Sequence, residues 1–287
     1  MTFIKYFFRI ILFLSPMFNM ACIGSLVDRA QNMLYPLDHV NKTNVPEVPP
    51  DGYKEVLLKA LQDPSDESSN FNDIHVWYQK YADPQRPIII YLHGNGVNLG
   101  SLWEGNILKA FDRLETNWVV FDFPGYGRST GVPSMPSINE AADAVMEWTQ
   151  ATFPNSKIII WGRSMGAAVA AQLAERHQPS IKQLILTSPW ANTYSLAKDK
   201  VGNLVDDVPD DWMENNSWKT TEVVSSIHSP TLIIHGKKDK VIPIKFGKEV
   251  FSKFPNGVAE FIEFLEREHN DLFADSEYWN AISEFIQ

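Results

Sequence analysis

Gly162-Arg163-Ser164-Met165-Gly166 is a G-x-S-x-G pattern, and its neighbours give it chemical meaning. It directly follows the apolar run Lys157–Trp161 and directly precedes the Ala-rich segment Ala167–Arg176. A sharp strand-to-helix turn at this place holds the serine in a strained conformation that side chains at Gly162 or Gly166 would crowd. The helix behind it aims N–H groups at the site. A serine hydroxyl is a poor nucleophile until a base takes its proton. Among seven histidines, His269 in Glu268-His269-Asn270-Asp271 stands just past the last expected strand and before the last helix. That is the base's place in the chain order nucleophile, acid, base. Asp239 lies between the two, immediately beyond the run Thr231–His235. Its role would be to hold the imidazole tautomer and stabilise the imidazolium. Acyl transfer also needs oxyanion donors, and His93-Gly94-Asn95-Gly96 follows the run Ile88–Leu92 where one of them is built. The backbone N–H groups of Asn95 and Met165 are assigned that task. His39, His75, His177 and His228 read as packing or loop residues, and Asp206, Asp207, Asp210 and Asp211 as a solvated acidic face.

These residues need a scaffold of alternating strands and helices. Ile88–Leu92, Trp118–Phe123, Lys157–Trp161, Ile181–Leu186, Thr231–His235 and Val258–Phe264 are short continuous apolar runs, the pattern of strands buried on both faces. Tyr53–Leu61 and Ile74–Tyr81 read as two earlier strands around the polar turn Asp63–Asn70. Ser137 with Glu140 forms a capping-box signature for a helix running toward Phe153, and Ile244–Phe254 and Ser276–Ile286 complete the helical set. The expected fold is α/β, a mostly parallel central sheet with helices on both faces. Between Pro189 and Ser229 the alternation stops. An insertion at about 190–229 is either a lid or a long loop, and Trp190, Trp212 and Met213 within it are candidate substrate contacts. Asp122-Phe123-Pro124-Gly125-Tyr126-Gly127-Arg128-Ser129 reads as loop-shaping only.

With 25 Lys+Arg against 35 Asp+Glu, the formal charge is −10, which argues against nucleic-acid binding. No dinucleotide loop, P-loop, H-E-x-x-H or metal-ligand cluster is present, so neither cofactor nor metal is expected. Residues 1–27 read as a membrane-targeting segment, since Ile10–Val27 is an uncharged run of eighteen residues preceded by Lys5 and Arg9. A cleaved signal peptide, a signal anchor and a lipoprotein signal ending at Ala21-Cys22 all fit. The basic flank puts the rest of the chain on the non-cytoplasmic side. Residues 28–52, Pro- and Asn-rich from Tyr35 to Pro50, read as a linker or extended arm, leaving 53–287 as one catalytic domain.

Four motifs now stand in one order: His93-Gly94-Asn95-Gly96, Phe123-Pro124-Gly125-Tyr126-Gly127-Arg128-Ser129, the elbow at Ser164, and Asp239 with His269. Together they resemble the α/β-hydrolase superfamily over roughly residues 53–287. Within it the chain is most similar to serine hydrolases of the monoacylglycerol lipase-like, acyl-protein thioesterase-like and serine aminopeptidase types. Asn95-Gly96-Val97-Asn98 varies from the group's usual loop, in which Ala commonly follows the Asn. The resemblance implies the fold and ester or thioester hydrolysis, with a small-molecule or lipid ester as substrate, and leaves the acyl group open. A peptidase using the same site and a catalytically idle, membrane-tethered binding module are the alternatives.

Overall fold

The computed structural model of the chain describes residue 24 and residues 26–62 and 70–287. Cys22, nearly all of the expected targeting segment and most of the turn Asp63–Asn70 lie outside the described residues. In chain order, residues 26–34 are helical (α1) and are followed by α2 (Leu37–Val40), β1 (Lys54–Leu61), β2 (Phe71–Gln79) and β3 (Ile88–Leu92). Then come α3 (Leu99–Glu104), α4 (Ile107–Asp112), β4 (Asn117–Phe121), α5 (Met135–Thr152), β5 (Ile158–Arg163) and α6 (Met165–Arg176). The remainder is β6 (Ile181–Thr187), α7 (Thr193–Val201), α8 (Asp210–Glu214), α9 (Thr220–Val223), β7 (Thr231–Gly236), α10 (Ile244–Phe251), β8 (Ala259–Phe264) and α11 (Ser276–Ile286).

The eight strands form one sheet in the order β1-β2-β4-β3-β5-β6-β7-β8. β2 runs antiparallel to both β1 and β4, and the six strands from β4 to β8 are parallel. Every residue of β3, β4 and β5 is buried, as continuous apolar runs require. Side chains still alternate across the pleat. Ile88, Ile90, Val119, Ile160 and Leu186 face the layer containing α5 and α6, whereas Ile89, Tyr91, Trp118, Trp161 and Ile185 face the layer containing α11. The second layer is aromatic, with Tyr91 packed edge-on to Trp161 at 5.2 Å and Phe111 at 5.0 Å.

Several boundaries differ from expectation. α5 begins two residues before Ser137, because Ser134 is the N-cap and Ser137 the residue that completes its capping box. Pro136 in the first turn suits that register, its missing N–H being one of the unpaired donors anyway. β4 stops at Phe121, two residues early, since the loop beyond it turns through Gly125 and Gly127 at φ 80° and 51°, which a ladder strand cannot hold. α3 and α4 have no counterpart in the sequence reading; both are six residues long, too short for an apolar period to stand out. The stretch 28–52 is packed rather than extended. Leu34, Tyr35 and Val40 are buried in the core, Asn98 donates to the carbonyls of Val40 and Thr43, and Arg128 donates to those of Pro46 and Glu47. Among the described residues no helix is long and apolar enough to cross a membrane.

Candidate active site

β5 ends in the elbow, where Ser164 sits at φ 56°, ψ −122° as the N-cap of α6. For a residue with a Cβ this is a costly conformation, held by its surroundings. Ser164 N–H donates to Thr187 O at 2.9 Å, anchoring the turn to β6. A Cβ on Gly162 would stand 2.0 Å from Gly166 O, and one on Gly166 would stand 2.0 Å from Leu92 O. Both contacts are with backbone, so neither position admits a side chain. The loop after β3 passes over the elbow closely enough that a Cβ on Gly94 would lie 3.4 Å from Ser164 Cβ. Asn95 in that loop lines the same cavity as Ser164. The N–H of Met165, at the start of α6, belongs to the first-turn donors that lack intrahelical acceptors.

The loops after β7 and β8 carry Asp239 and His269 and are laced together by main chain. Lys237 N–H donates to Phe264 O at 2.8 Å and Lys238 N–H to Arg267 O at 2.9 Å. Across this seam His269 Nδ1 meets Asp239 Oδ2 at 2.6 Å. Asp239 Oδ1 accepts from the N–H groups of Val241 and Ile242 at 2.9 and 2.7 Å, which fixes the carboxylate plane. Burial alone would raise the Asp239 carboxyl. The hydrogen bonds from His235 and His269, the His269 charge and the Ile242 N–H outweigh it and hold the group well below the usual carboxylate range. His269 is pushed down from its ordinary value, first by burial and then by the Arg163 and His235 charges, against the opposing pull of Asp239. Its neutral form, the one a general base requires, therefore prevails at neutral pH.

Two residues that sequence reasoning passed over support this arrangement. Arg163 donates Nη2 to His269 O at 2.6 Å and to Asn270 Oδ1 at 2.8 Å. His235 donates Nε2 to Ile242 O at 2.8 Å and lies 3.5 Å from Asp239 Oδ2. A signal for Arg163 existed: an ionisable residue ending an apolar buried strand has to find a partner.

Ser164 opens into a cavity of about 600 Å³. Trp190, Trp212 and Met213 line it together with α7 residues such as Leu196 and Val201. One side of the wall is α1, through Leu26, Ala30, Met33 and Leu34. That spacing is an amphipathic helical stripe, the cue by which this wall could have been found in the sequence. Asn95 ties it to the loop after β3 by donating Nδ2 to Leu34 O at 3.0 Å, and Trp212 Nε1 donates to Gln31 Oε1 at 3.0 Å. Asp206, Asp207, Asp210 and Asp211 are exposed. Among the described residues no cluster of three or more His, Cys, Asp or Glu is arranged to hold a metal.

Residues 87–217 match the family model of the alpha/beta hydrolase fold. Lysophosphatidylserine lipase ABHD12 of Danio rerio is 30% identical over 233 residues, 74% of this chain and 61% of that protein. The protein ABHD12B of Homo sapiens is 27% identical over 190 residues, 61% of this chain and 52% of its own length. The chain thus spans about three-fifths of the length of the first of these relatives. An esterase of Pyrococcus furiosus shares the fold with a TM-score of 0.64 at 17% identity, covering 85% of this chain and 97% of its own. A monoacylglycerol lipase of Paleococcus ferrophilus does so at 0.56 and 20%, covering 74% and 98%. Sequence match and structural likeness agree, and the chain has the alpha/beta hydrolase fold.

Proposed function

We propose that this protein is a serine hydrolase that cleaves carboxylic esters of lipid or acylated substrates through a Ser164–Asp239–His269 triad. The observation that carries the reading is the 2.6 Å His269–Asp239 bond, tied through Arg163 to the turn of a strained serine that opens into an apolar cavity. In the first step Ser164 Oγ forms a bond to the acyl carbon while its proton passes to His269 Nε2. The carbonyl π pair moves onto oxygen, where the Asn95 and Met165 N–H groups receive it. Collapse of the adduct breaks the acyl C–O bond (C–S in a thioester), and the leaving group takes the proton from His269. Water then repeats the sequence, with His269 as base, and releases the acid and free Ser164.

A volume of about 600 Å³ falls within the ~300–1,000 Å³ range of small-ligand sites, and an almost wholly apolar lining suits an acyl chain. The named activity of the similar lysophosphatidylserine lipase supports a single-chain lipid ester. The charged side chains on the lining are the cations Arg29, Lys200 and Lys240, a poor match to the protonated amino terminus of a short peptide. Activity-based labelling tests the nucleophile: Ser164→Ala should lose all reaction with a fluorophosphonate, and undiminished labelling would sink the assignment. A panel of esters and thioesters graded by chain length should favour long acyl chains over short ones. Equal turnover of aminoacyl-nitroanilides would favour the peptidase reading instead.

The cavity mouth belongs at a lipid surface on this reading. Leu26 is both part of the uncharged run and part of the cavity wall, so a membrane-held N-terminus brings the mouth within a helical turn or two of the bilayer. Met33, Leu204 and Val241, each at least half exposed, rim that mouth. The catalytic body would then lie on the non-cytoplasmic side, following Lys5 and Arg9. Mass spectrometry of the mature N-terminus discriminates the forms; an acylated Cys22 at its first position would mark the lipoprotein.

A further inference from the structure

Arg163 is a buried cation at 7% exposure, and among the described residues it pairs with no carboxylate. Burying a charge without a counter-charge costs several kcal/mol, so the surroundings must supply equivalent contacts. They do so one-sidedly. Nη2 serves His269 O and Asn270 Oδ1, the guanidinium lies over the Phe273 ring at 5.4 Å, and Nε has no hydrogen-bond partner. All these contacts are with the segment from His269 to Phe273, which carries the base. Arg163 itself is the last residue of β5, one position before Ser164. One rigid side chain therefore joins the nucleophile's turn to the base's loop.

We propose that Arg163 is a positioning residue for the reaction, clamping the His269 carbonyl and the Asn270 amide so that the imidazole is held toward Ser164. The inference rests on the triad reading above. The clamp has an electrostatic consequence. The groups facing His269 are Asp239 and His235 from β7 and its loop, Arg163 from the elbow, and Lys240, Glu268 and Asp271 around a small outer cleft of about 220 Å³. Within this set the Arg163 charge opposes protonation of the imidazole and Asp239 favours it. A fixed cation here extends the pH range over which His269 stays an acceptor.

The test is the rate of fluorophosphonate inactivation of the full chain from about pH 4 to pH 9, for wild type, Arg163→Met and Arg163→Lys. Wild-type labelling at Ser164, lost in Ser164→Ala, checks the triad reading separately. Arg163→Met should lower the plateau rate by roughly 10- to 100-fold, as small misplacements of catalytic groups do. Its acid limb should move up by about half a pH unit to one unit, as loss of a nearby like charge demands. Arg163→Lys keeps the charge and loses the planar fork, so its plateau should fall while its acid limb stays with wild type. A merely structural Arg163 would change thermal stability and leave the acid limb in place. A folded Arg163→Met with the wild-type acid limb overturns the proposal. Should that variant not fold, an Arg163→Lys plateau equal to wild type overturns it. So does an imidazole NMR titration placing wild-type His269 above 6.5, its ordinary value.

Discussion

Two histidine–carboxylate clusters lie on the same sheet and have opposite fates. His269 meets Asp239 at 2.6 Å through Nδ1, and its other nitrogen takes no hydrogen bond within the described structure. His75, on β2, is fully buried and engaged on both sides: Nε2 meets Glu55 at 2.7 Å and Nδ1 lies 3.5 Å from Asp122. Arg128 closes that second cluster by donating to Glu55 at 3.0 Å and to the carbonyls of Pro46 and Glu47. Asp122 in turn accepts from the N–H groups of Leu99 and Arg128, and a Cβ on Gly127 would stand 2.1 Å from its Oδ2. One cluster keeps a nitrogen and a cavity in reserve; the other spends every atom on joining β1, β2, the glycine loop and the chain before β1. A histidine beside a buried acid is thus not in itself a base. What distinguishes the candidate base is a ring nitrogen left without a partner among the described residues.

The widest separation between the clusters should come from His269→Gln against His75→Gln. In steady-state ester hydrolysis the first should lose about 10⁵–10⁶-fold in kcat, while the second keeps its turnover per folded molecule. Equal losses in both would break the distinction. Asp239→Asn should follow, with roughly a 10⁴-fold fall in kcat, because the tautomer and the imidazolium lose their partner. Asp122→Ala should barely alter kcat and instead lower unfolding stability in urea by about 1–3 kcal/mol for each buried N–H it orphans. The smallest effect is one of pH. His269 lies below its ordinary value of 6.5, so activity should be full above that value and fall as pH drops through the depressed one. Stability carries the same sign: between the two values the unfolded chain binds more protons, so this contribution is complete above 6.5 and fades as pH falls. An acid limb at or above 6.5 would contradict the net downward shift that burial and the Arg163 charge impose on this imidazole.

Strand positions were legible because buried parallel strands are continuous apolar runs; Ile88–Leu92 and the helix Ser276–Ile286 match to the residue. The elbow was legible because its glycines answer to local backbone crowding, and the places of Asp239 and His269 follow from strand ends. The cavity was legible only in part. Trp190, Trp212 and Met213 line it, but its facing wall comes from α1, some 160 residues earlier and read as the end of a targeting segment and the start of a linker. His75 and Arg128 looked like bystanders because their partners, Glu55 and the carbonyls of Pro46 and Glu47, meet them only after β1 pairs with β2.

By itself, then, the sequence determined what depends on neighbours along the chain: the sheet strands, the strained turn at Ser164 and the order of the three candidate catalytic residues. Tertiary structure decided what depends on distant segments meeting. It selected which histidine keeps a nitrogen in reserve, set Arg163 against the His269 loop, and closed the cavity at Ser164 with a helix from outside the expected domain. The physical reason is range. Backbone strain and hydrophobic period act over a few residues and leave a local imprint, whereas hydrogen-bond partnership and cavity shape exist only between surfaces that folding brings together.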